Sequence, residues 1–597
     1  MKLSNYVIDH IARLGTRHVF YLPGGAAMHL NDSLARHPEI EPVCNLHEQA
    51  CAIAAEAYAK VSGKVGVAMV TAGPGSTNAV TGVASCWLDS VPCIFLSGQV
   101  KSSDLKPDNG LRQLGVQEIG IVPIVRSITK YAVTIDDPSM VRYHLERAVH
   151  EATTGRQGPV WLDFPMDVQA AQIEPEQLKG FCPPPVSDRS ADLRLKAMRF
   201  IELFNKAKRP VLVAGNGIRL AEASDSFSDL VKLLNVPVLT TWLGFDLLPS
   251  DHPLNFGRPG AIAPRFANLC LQNSDLLISV GARLDMAMTG YSHANLARDA
   301  AKVVVDIDAA ELAKFQTKID LPVIADAGDF IDEVLRHRDA LEVQNRSTWL
   351  ATCGDWRTLY PLHREYPPVP KGTLSMYRFS EALSDCLEPN EIVASGSSGF
   401  ACEIFLLMVQ ARKNQRIFHS RGLGAMGFGL PASIGACFAS GRQRTVCVDG
   451  DGGFQMNVQE LATIAHHKLP IKIFVINNQG YASIRSSQSN YFKLCAGCDT
   501  SSGLGLPPVT AVAQAYGIPS TSIRAGSDLH KDVTKVLASN GPMVCEVEVA
   551  PDEPRVPRLA SHQKTDGTMV SRPLEDLWPF LDRDEFRANM IVRPLDE

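Results

Sequence analysis

Apolar positions along the chain gather into short continuous runs, not into strict alternation with polar ones. "VGVAMV" at 65–70, "PVLVAG" at 210–215, "RTVCVDG" at 444–450 and "IKIFVIN" at 471–477 are examples, each bounded by glycine, proline or a polar turn. Runs of this length predict strands buried on both faces. Segments of helical period separate them. After "RTVCVDG", for instance, Val458, Leu461, Ala462 and Ala465 recur at helical spacing. The opening "MKLSNYVIDHIARLG" is amphipathic and predicts a first helix, without the pattern of a signal peptide. Regular alternation of strand and helix predicts an α/β protein built of doubly wound parallel sheets.

Proline divides the pattern. "FCPPPVSD" and "YPPVPKG" cannot hold a helix or an inner strand and read as joints. They imply domains at 1–180, 188–345 and 372–550, with a tail over 551–597 that opens at "APDEPRVPR". The first and third blocks resemble each other. Residues 65–99 and 443–477 both run strand, glycine turn, helix, proline, strand, and Gly75 matches Gly453 as Pro92 matches Pro470 without a gap. Any two strand–helix–strand units look somewhat alike, but this match also fits two related domains sharing one task.

Composition narrows the function by exclusion. The 597 residues are 45% apolar and 20% charged, with a net charge of −6 and no basic block, so nucleic acid is not an expected partner. No apolar run approaches the roughly 18 residues of a membrane span. The fourteen cysteines are scattered, which suggests free thiols and a cytoplasmic protein. Cys495 and Cys498 form a lone C-x-x-C; with no second pair nearby, a metal or redox role is a minor alternative to ordinary thiols.

The densest chemistry lies in "VDGDGGFQMNVQE", Val448 to Glu460. Gly450, Gly452 and Gly453 sit where a strand becomes a helix, a place suited to phosphate because free N–H groups point outward. Asp451 would repel a phosphate unless a cation lay between them. Mg²⁺ suits that role, since it takes oxygen ligands and bridges carboxylate to diphosphate. In an open α/β sheet the next ligands belong at the end of the neighbouring strand. There "NNQGYAS" offers the Asn478 amide oxygen and the Gly480 carbonyl. Asp449 reads as a hydrogen-bonding support for the turn.

G-D-G followed about 28 residues later by N-N, across one helix and one strand, resembles the thiamine-diphosphate motif. With it, "LPGGAAMHLNDSL", "HEQACAIAAEAYAKVSGKVGVAMVTAGPGSTNAVTGVA", "LDSVPCIFLSGQV" and "RGLGAMGFGLPASIGA" resemble acetolactate synthase and its close relatives over nearly the whole chain. The resemblance implies a pyrimidine-binding domain, a central domain and a diphosphate-binding domain, in that order. It also implies a homodimer or homotetramer in which one subunit's first domain faces another's third.

Site residues follow from the same resemblance. Glu48 would press its carboxyl against a ring nitrogen of the cofactor and so favour loss of the C2 proton; His47 beside it reads as structural. Met426 would support the bent cofactor from below. Gly25 and Ala26 would line the reacting face, Pro74 and Asn78 the cofactor pocket, and Gln117 the substrate side. Gly396, Ser398 and Gly424 would line the diphosphate side. In the middle block, "RPVLVAGNGIRLAEAS" with Gly215, then "ISVGARLD", "VVVDIDAAELAK" and "VIADAGDF", resemble the family's FAD-binding domain. Arg156 and Arg283 would then meet the flavin diphosphate, and Asp306 and Asp326 the adenosine end.

Departures from the synthase pattern concern the acceptor. Ala287 and Met166 stand where the synthases carry arginine and lysine, Ser487 stands in place of tryptophan, and Ser398–Ala401 replace "GQHQ". The ending "MVSRPLEDLWPFLDRDEF" resembles relatives that add an acetyl branch to keto-sugar nucleotides. The expected function is therefore a carboligase that decarboxylates pyruvate and transfers the two-carbon unit to a ketone or 2-oxoacid, possible acceptors including a keto-sugar nucleotide. Acetolactate synthesis is the alternative, with a pyruvate oxidase or a cyclic diketone hydrolase behind it.

Overall fold

The computed structural model describes residues 1–185, 189–342, 344–563 and 569–595. The Val186–Asp188 end of the first proline joint, where the expected middle domain starts, lies outside them, as do the last two residues of the expected tail.

Three parallel sheets carry the chain. The first joins β1 (His18–Tyr21), β2 (Glu41–Cys44), β3 (Gly66–Val70), β4 (Cys93–Gln99), β5 (Tyr131–Thr134) and β6 (Val160–Pro165) in the order β2-β1-β3-β4-β6-β5. The second joins β7 (Pro210–Ala214), β8 (Val238–Thr240), β9 (Leu276–Val280), β10 (Ala301–Asp306) and β11 (Leu321–Ile324) as β11-β10-β9-β7-β8. The third joins β12 (Ile392–Ser395), β13 (Arg416–Phe418), β14 (Thr445–Gly450), β15 (Ile471–Asn477), β16 (Ser520–Ile523) and β17 (Met543–Glu548) as β13-β12-β14-β15-β17-β16. The α/β class read from the apolar runs is the one observed. β3, β4, β14 and β15 are buried at almost every position, which is why their sequences do not alternate.

The first and third sheets have the same strand order, position for position. The two matched sequence segments fall on the central pairs β3–β4 and β14–β15. These two halves meet through two small-residue helices. The Glu48 helix (Glu48–Ser62) and the Gly429 helix (Gly429–Ala439) pack antiparallel: Ile53 and Ala57 share one apolar cluster with Ala432 and Ala436. A Cβ added to Gly435 would lie 2.0 Å from the Ala54 carbonyl oxygen, so the contact is backbone against backbone and only glycine fits.

Residues after the third sheet fold back over the middle one. Glu575 pairs with Arg298 at 2.7 Å, and the buried Arg265 guanidinium donates to the Leu577 carbonyl. Among the described residues no helix is long and apolar enough to cross a membrane.

Candidate active site

The third sheet presents one half of a site at the carboxyl ends of β12, β14 and β15. Asp449 Oδ1 accepts the Gly450 N–H at 2.8 Å. Added Cβ atoms on Gly396 and Gly453 would each lie 2.3 Å from that oxygen, so glycines let the backbone close around the carboxyl. Burial pushes Asp449 up to about 7, against the N–H bonds from Gly450 and Gly429. Asp451 opens the short Asp451–Met456 helix. Its two oxygens accept the N–H groups of Gly452 at 2.7 Å and Gly480 at 2.8 Å. Burial pushes it up to about 6, with the same N–H bonds opposing. Gly480 has φ of 118°, which lets the turn after β15 swing its amide onto Asp451.

Asn478, at the end of β15, is buried, and its side-chain oxygen has no hydrogen-bond partner. An unpartnered buried amide oxygen is costly. Beside a carboxylate it completes the hard-oxygen chemistry that a small divalent cation takes, so these residues fit Mg²⁺. Gly452 leaves room next to them. A Cβ there would come 2.2 Å from the Tyr481 ring and 3.2 Å from the Met426 methyl, so Met426 borders the same turn. Gly424, with φ of 66°, passes over the Ser397 carbonyl, and the half-buried Ser398 follows on that loop.

The first sheet presents a second half. Glu48 is 8% exposed and its carboxylate accepts the Asn78 amide at 2.9 Å. His47 caps the Glu48 helix by accepting the Gln49 N–H at its Nδ1. Pro74 opens the turn Pro74–Asn78, and a Cβ on Gly75 would lie 3.5 Å from Glu48. Gly73, at φ of 63°, lies against the Gln117 carbonyl, while the Gln117 side chain is exposed. Gly25 begins a short turn with open space around it. Glu48, Pro74, Asn78 and the Gln117 backbone thus gather at one place, and Gly25 adjoins it through Gly24, which closes on the same Thr71 side chain as Gly75.

These halves do not meet within one chain. Glu48 opens its helix, whereas Lys60 near the other end lies over the Phe428 ring and donates to the His419 carbonyl, on the loop that carries Met426. The twelve helical steps from Glu48 to Lys60 span about 18 Å. The proton-handling carboxyl and the diphosphate-side turn therefore sit at opposite ends of one antiparallel helix pair.

The middle sheet borders a cavity of 1040 Å³, lined among others by Arg156, Arg283, Asp306 and Asp326. That size matches the upper end of ligand pockets, about 300–1,000 Å³. Gly215 lies behind the lining residues Asn216, Gly217 and Gly281; a Cβ on it would meet the Gly281 carbonyl at 2.0 Å. Arg156 pairs with Asp308 and Glu311, both at 2.8 Å, and Asp326 caps the helix that follows it. Asp306 accepts the Asp308 N–H, and burial raises its pKa. Large volume, cationic side chains and a glycine-lined strand end fit a dinucleotide such as FAD.

Among the described residues no hydrogen bond joins the three acceptor-side positions to either half, although the Met166–Ala170 helix reaches the Ala26 carbonyl through Gln169. Ser487 is exposed on the Ala482–Phe492 helix, and Met166 and Ala287 are partly buried. Among the described residues no group of three or more metal-ligating side chains occurs, so Cys495 and Cys498 lack further ligands of that kind. Sequence reasoning missed a buried triad in which Lys60 meets Glu56 at 2.6 Å and Asp89 at 2.9 Å. Asp89 in turn accepts the N–H groups of Arg421 and Gly422, and so anchors the loop that leads to Met426. The helical spacing of Glu56 and Lys60 was the only available signal.

Comparison with known proteins finds a match in each of the three sheets. Residues 1–123 match the N-terminal TPP binding domain of thiamine pyrophosphate enzymes, 198–334 the central domain and 397–547 the C-terminal TPP binding domain. The chain is 32% identical over 551 residues to a probable acetolactate synthase large subunit of Methanococcus aeolicus, covering 89% of each. It is 31% identical over 575 residues to the corresponding protein of Methanocaldococcus jannaschii, covering 93% of this chain and 94% of that one. With the chloroplastic acetolactate synthase of Arabidopsis thaliana it shares 32% identity over 587 residues, covering 94% of this chain and 83% of the other.

Proposed function

The chain belongs to the acetolactate synthase-like family of thiamine-diphosphate enzymes, and from that premise we propose that it decarboxylates pyruvate and joins the two-carbon unit to a second 2-oxoacid. The observation that carries the reading is the unpartnered Asn478 oxygen beside Asp451 at a glycine turn. Asp451, Asn478 and Gly480 would hold Mg²⁺, and the amides of Gly452 and Gly453 would face the diphosphate. When bound, thiamine diphosphate supplies a nucleophilic carbon and an electron sink for loss of CO₂. Glu48 would hold a proton at the ring nitrogen, with Asn78 fixing its carboxylate. Met426 would prop the ring from the diphosphate side.

Because Glu48 and Asp451 lie at opposite ends of the helix pair, a complete site is proposed to need two copies of the chain. Exposed apolar side chains flank both halves and support this: Val116 is 87% exposed beside Gln117, and Phe492 and Leu494 are 75% and 70% exposed after β15. Their burial against a second copy would also keep water from the reacting carbon. The middle cavity supports FAD as a further cofactor.

The named relatives favour a 2-oxoacid acceptor over the keto-sugar nucleotide. A second reading keeps the latter, because Met166, Ala287 and Ser487 remove the basic and aromatic groups that the synthases place on the acceptor side. Mass spectrometry of the products decides between them. Pyruvate alone should yield acetolactate. A product formed only when a simple ketone or a keto-sugar nucleotide is added would overturn the first reading in favour of the second.

A further inference from the structure

We propose that Glu460, in the third block, is a positioning residue for Glu48, an inference that rests on the thiamine-diphosphate reading above. Glu460 opens the Glu460–His466 helix and is fully buried. One of its carboxylate oxygens accepts the Asn45 side-chain amide at 2.7 Å and the other accepts the Leu46 N–H at 2.9 Å. These donors sit three and two residues before Glu48. Thr463 adds a third bond, from its hydroxyl at 2.9 Å. Burial raises the Glu460 pKa, and the three donors oppose that rise.

The other bonds to this turn come from its own domain, among them the Cys44 thiol on the Asn45 carbonyl. The Leu46 side chain is 49% exposed and packs no core, and the Asn45 N–H donates to the Tyr21 carbonyl at the strand end. His47 then caps the helix. The entry of the chain into the Glu48 helix thus rests in part on two residues that Glu460 holds from the opposite domain. A carboxylate accepts from both donors at once, whereas an amide at this position would turn its NH₂ toward one of them. Nine residues upstream lies Asp451. Between them Asn457 donates to the Gly427 carbonyl at 2.7 Å, next to Met426. The 451–460 segment thus touches the diphosphate-side turn at one end and the Glu48 turn at the other.

The test is exchange of the C2 proton of bound thiamine diphosphate for solvent deuterium, read by NMR after acid quench without substrate. It uses the full chain with Mg²⁺ and cofactor. Glu460→Gln should slow exchange about 10- to 100-fold, the cost of a catalytic group displaced by about 1 Å. Asn45→Ala, which removes one bond from the other side, should slow it less. Cofactor retention on gel filtration and the thermal midpoint should change little in either. The double variant Asn45→Asp with Glu460→Gln reverses the polarity of the side-chain bond, leaves the Leu46 N–H donating to the amide oxygen, and should recover most of the rate. Parent-like exchange in both single variants would overturn the proposal. So would equal slowing in the single and double variants, or a rate loss that only tracks a loss of fold. If the parent chain fails to retain thiamine diphosphate at all, the underlying reading fails instead, and the two failures are distinguishable.

Discussion

The first and third sheets share one strand order and one glycine-rich turn after their central strand, yet they present opposite chemistry. After β14 the turn carries two aspartates, and β15 ends in an amide without a partner. After β3 the matching turn has proline and small residues and no acid. The charge of the first half comes instead from Glu48, at the start of the helix after β2. At the equivalent place after β13 the third half carries Met426. One scaffold used twice thus separates proton handling from anion and cation holding. The antiparallel helix pair then keeps the two jobs apart within a chain.

Substitutions at the two ends should have different signatures. Glu48→Gln should lower turnover by about 10²–10⁴-fold, the usual share of a general acid–base group, while cofactor stays bound. Asp451→Asn should instead weaken retention of thiamine diphosphate with Mg²⁺ by at least about 10- to 100-fold, read by gel filtration. If both variants lost the cofactor equally, the division of labour would be wrong.

Gly435→Ala tests the helix pair that both halves share. Helix propensity alone would favour alanine by about 1 kcal/mol. Overpacking against the Ala54 carbonyl should win, for a net loss of about 3 kcal/mol in chemical unfolding. A neutral or stabilising result would mean that the contact is looser than 2.0 Å implies.

The smallest effect concerns His419, between β13 and Met426. Neither ring nitrogen has a hydrogen-bond partner, and burial holds the imidazole down to about 3. Its folded pKa is below the ordinary value of 6.5, so the unfolded chain gains a proton that the folded chain refuses. Stability therefore falls as pH drops below 6.5, by about 2 kcal/mol at pH 5. His419→Phe should remove that part of the acid sensitivity. An unchanged difference between unfolding at pH 7 and pH 5 would exclude the assignment.

The sequence made the strand runs, the G-D-G turn, the N-N end and the internal repeat legible, because each depends on neighbours a few residues away. Asp451, Asn478 and Met426 could be anticipated around one turn for that reason. The opposite placement of Glu48 was implied only by the family resemblance and not by the local pattern, since it depends on the antiparallel packing of two helices some 380 residues apart, set by Ala54 and Gly435. The bonds from Asn45 and Leu46 to Glu460 were hidden in the same way: a glutamate opening a helix looks like a dipole partner, and its two acceptor contacts lie more than 400 residues away. Arg156 is similar, its partners Asp308 and Glu311 lying across a domain boundary.

Mixing the two inactive chains tests the account most directly. Glu48→Gln and Asp451→Asn subunits, co-expressed in equal amounts, form mixed dimers in which one of the two sites draws an intact Glu48 and an intact Asp451 from different copies. Half of the dimers are mixed and each has one working site, so about a quarter of the parent activity should return. Activity no higher than that of either variant alone, in samples shown to contain mixed dimers, would mean that each chain builds its site by itself.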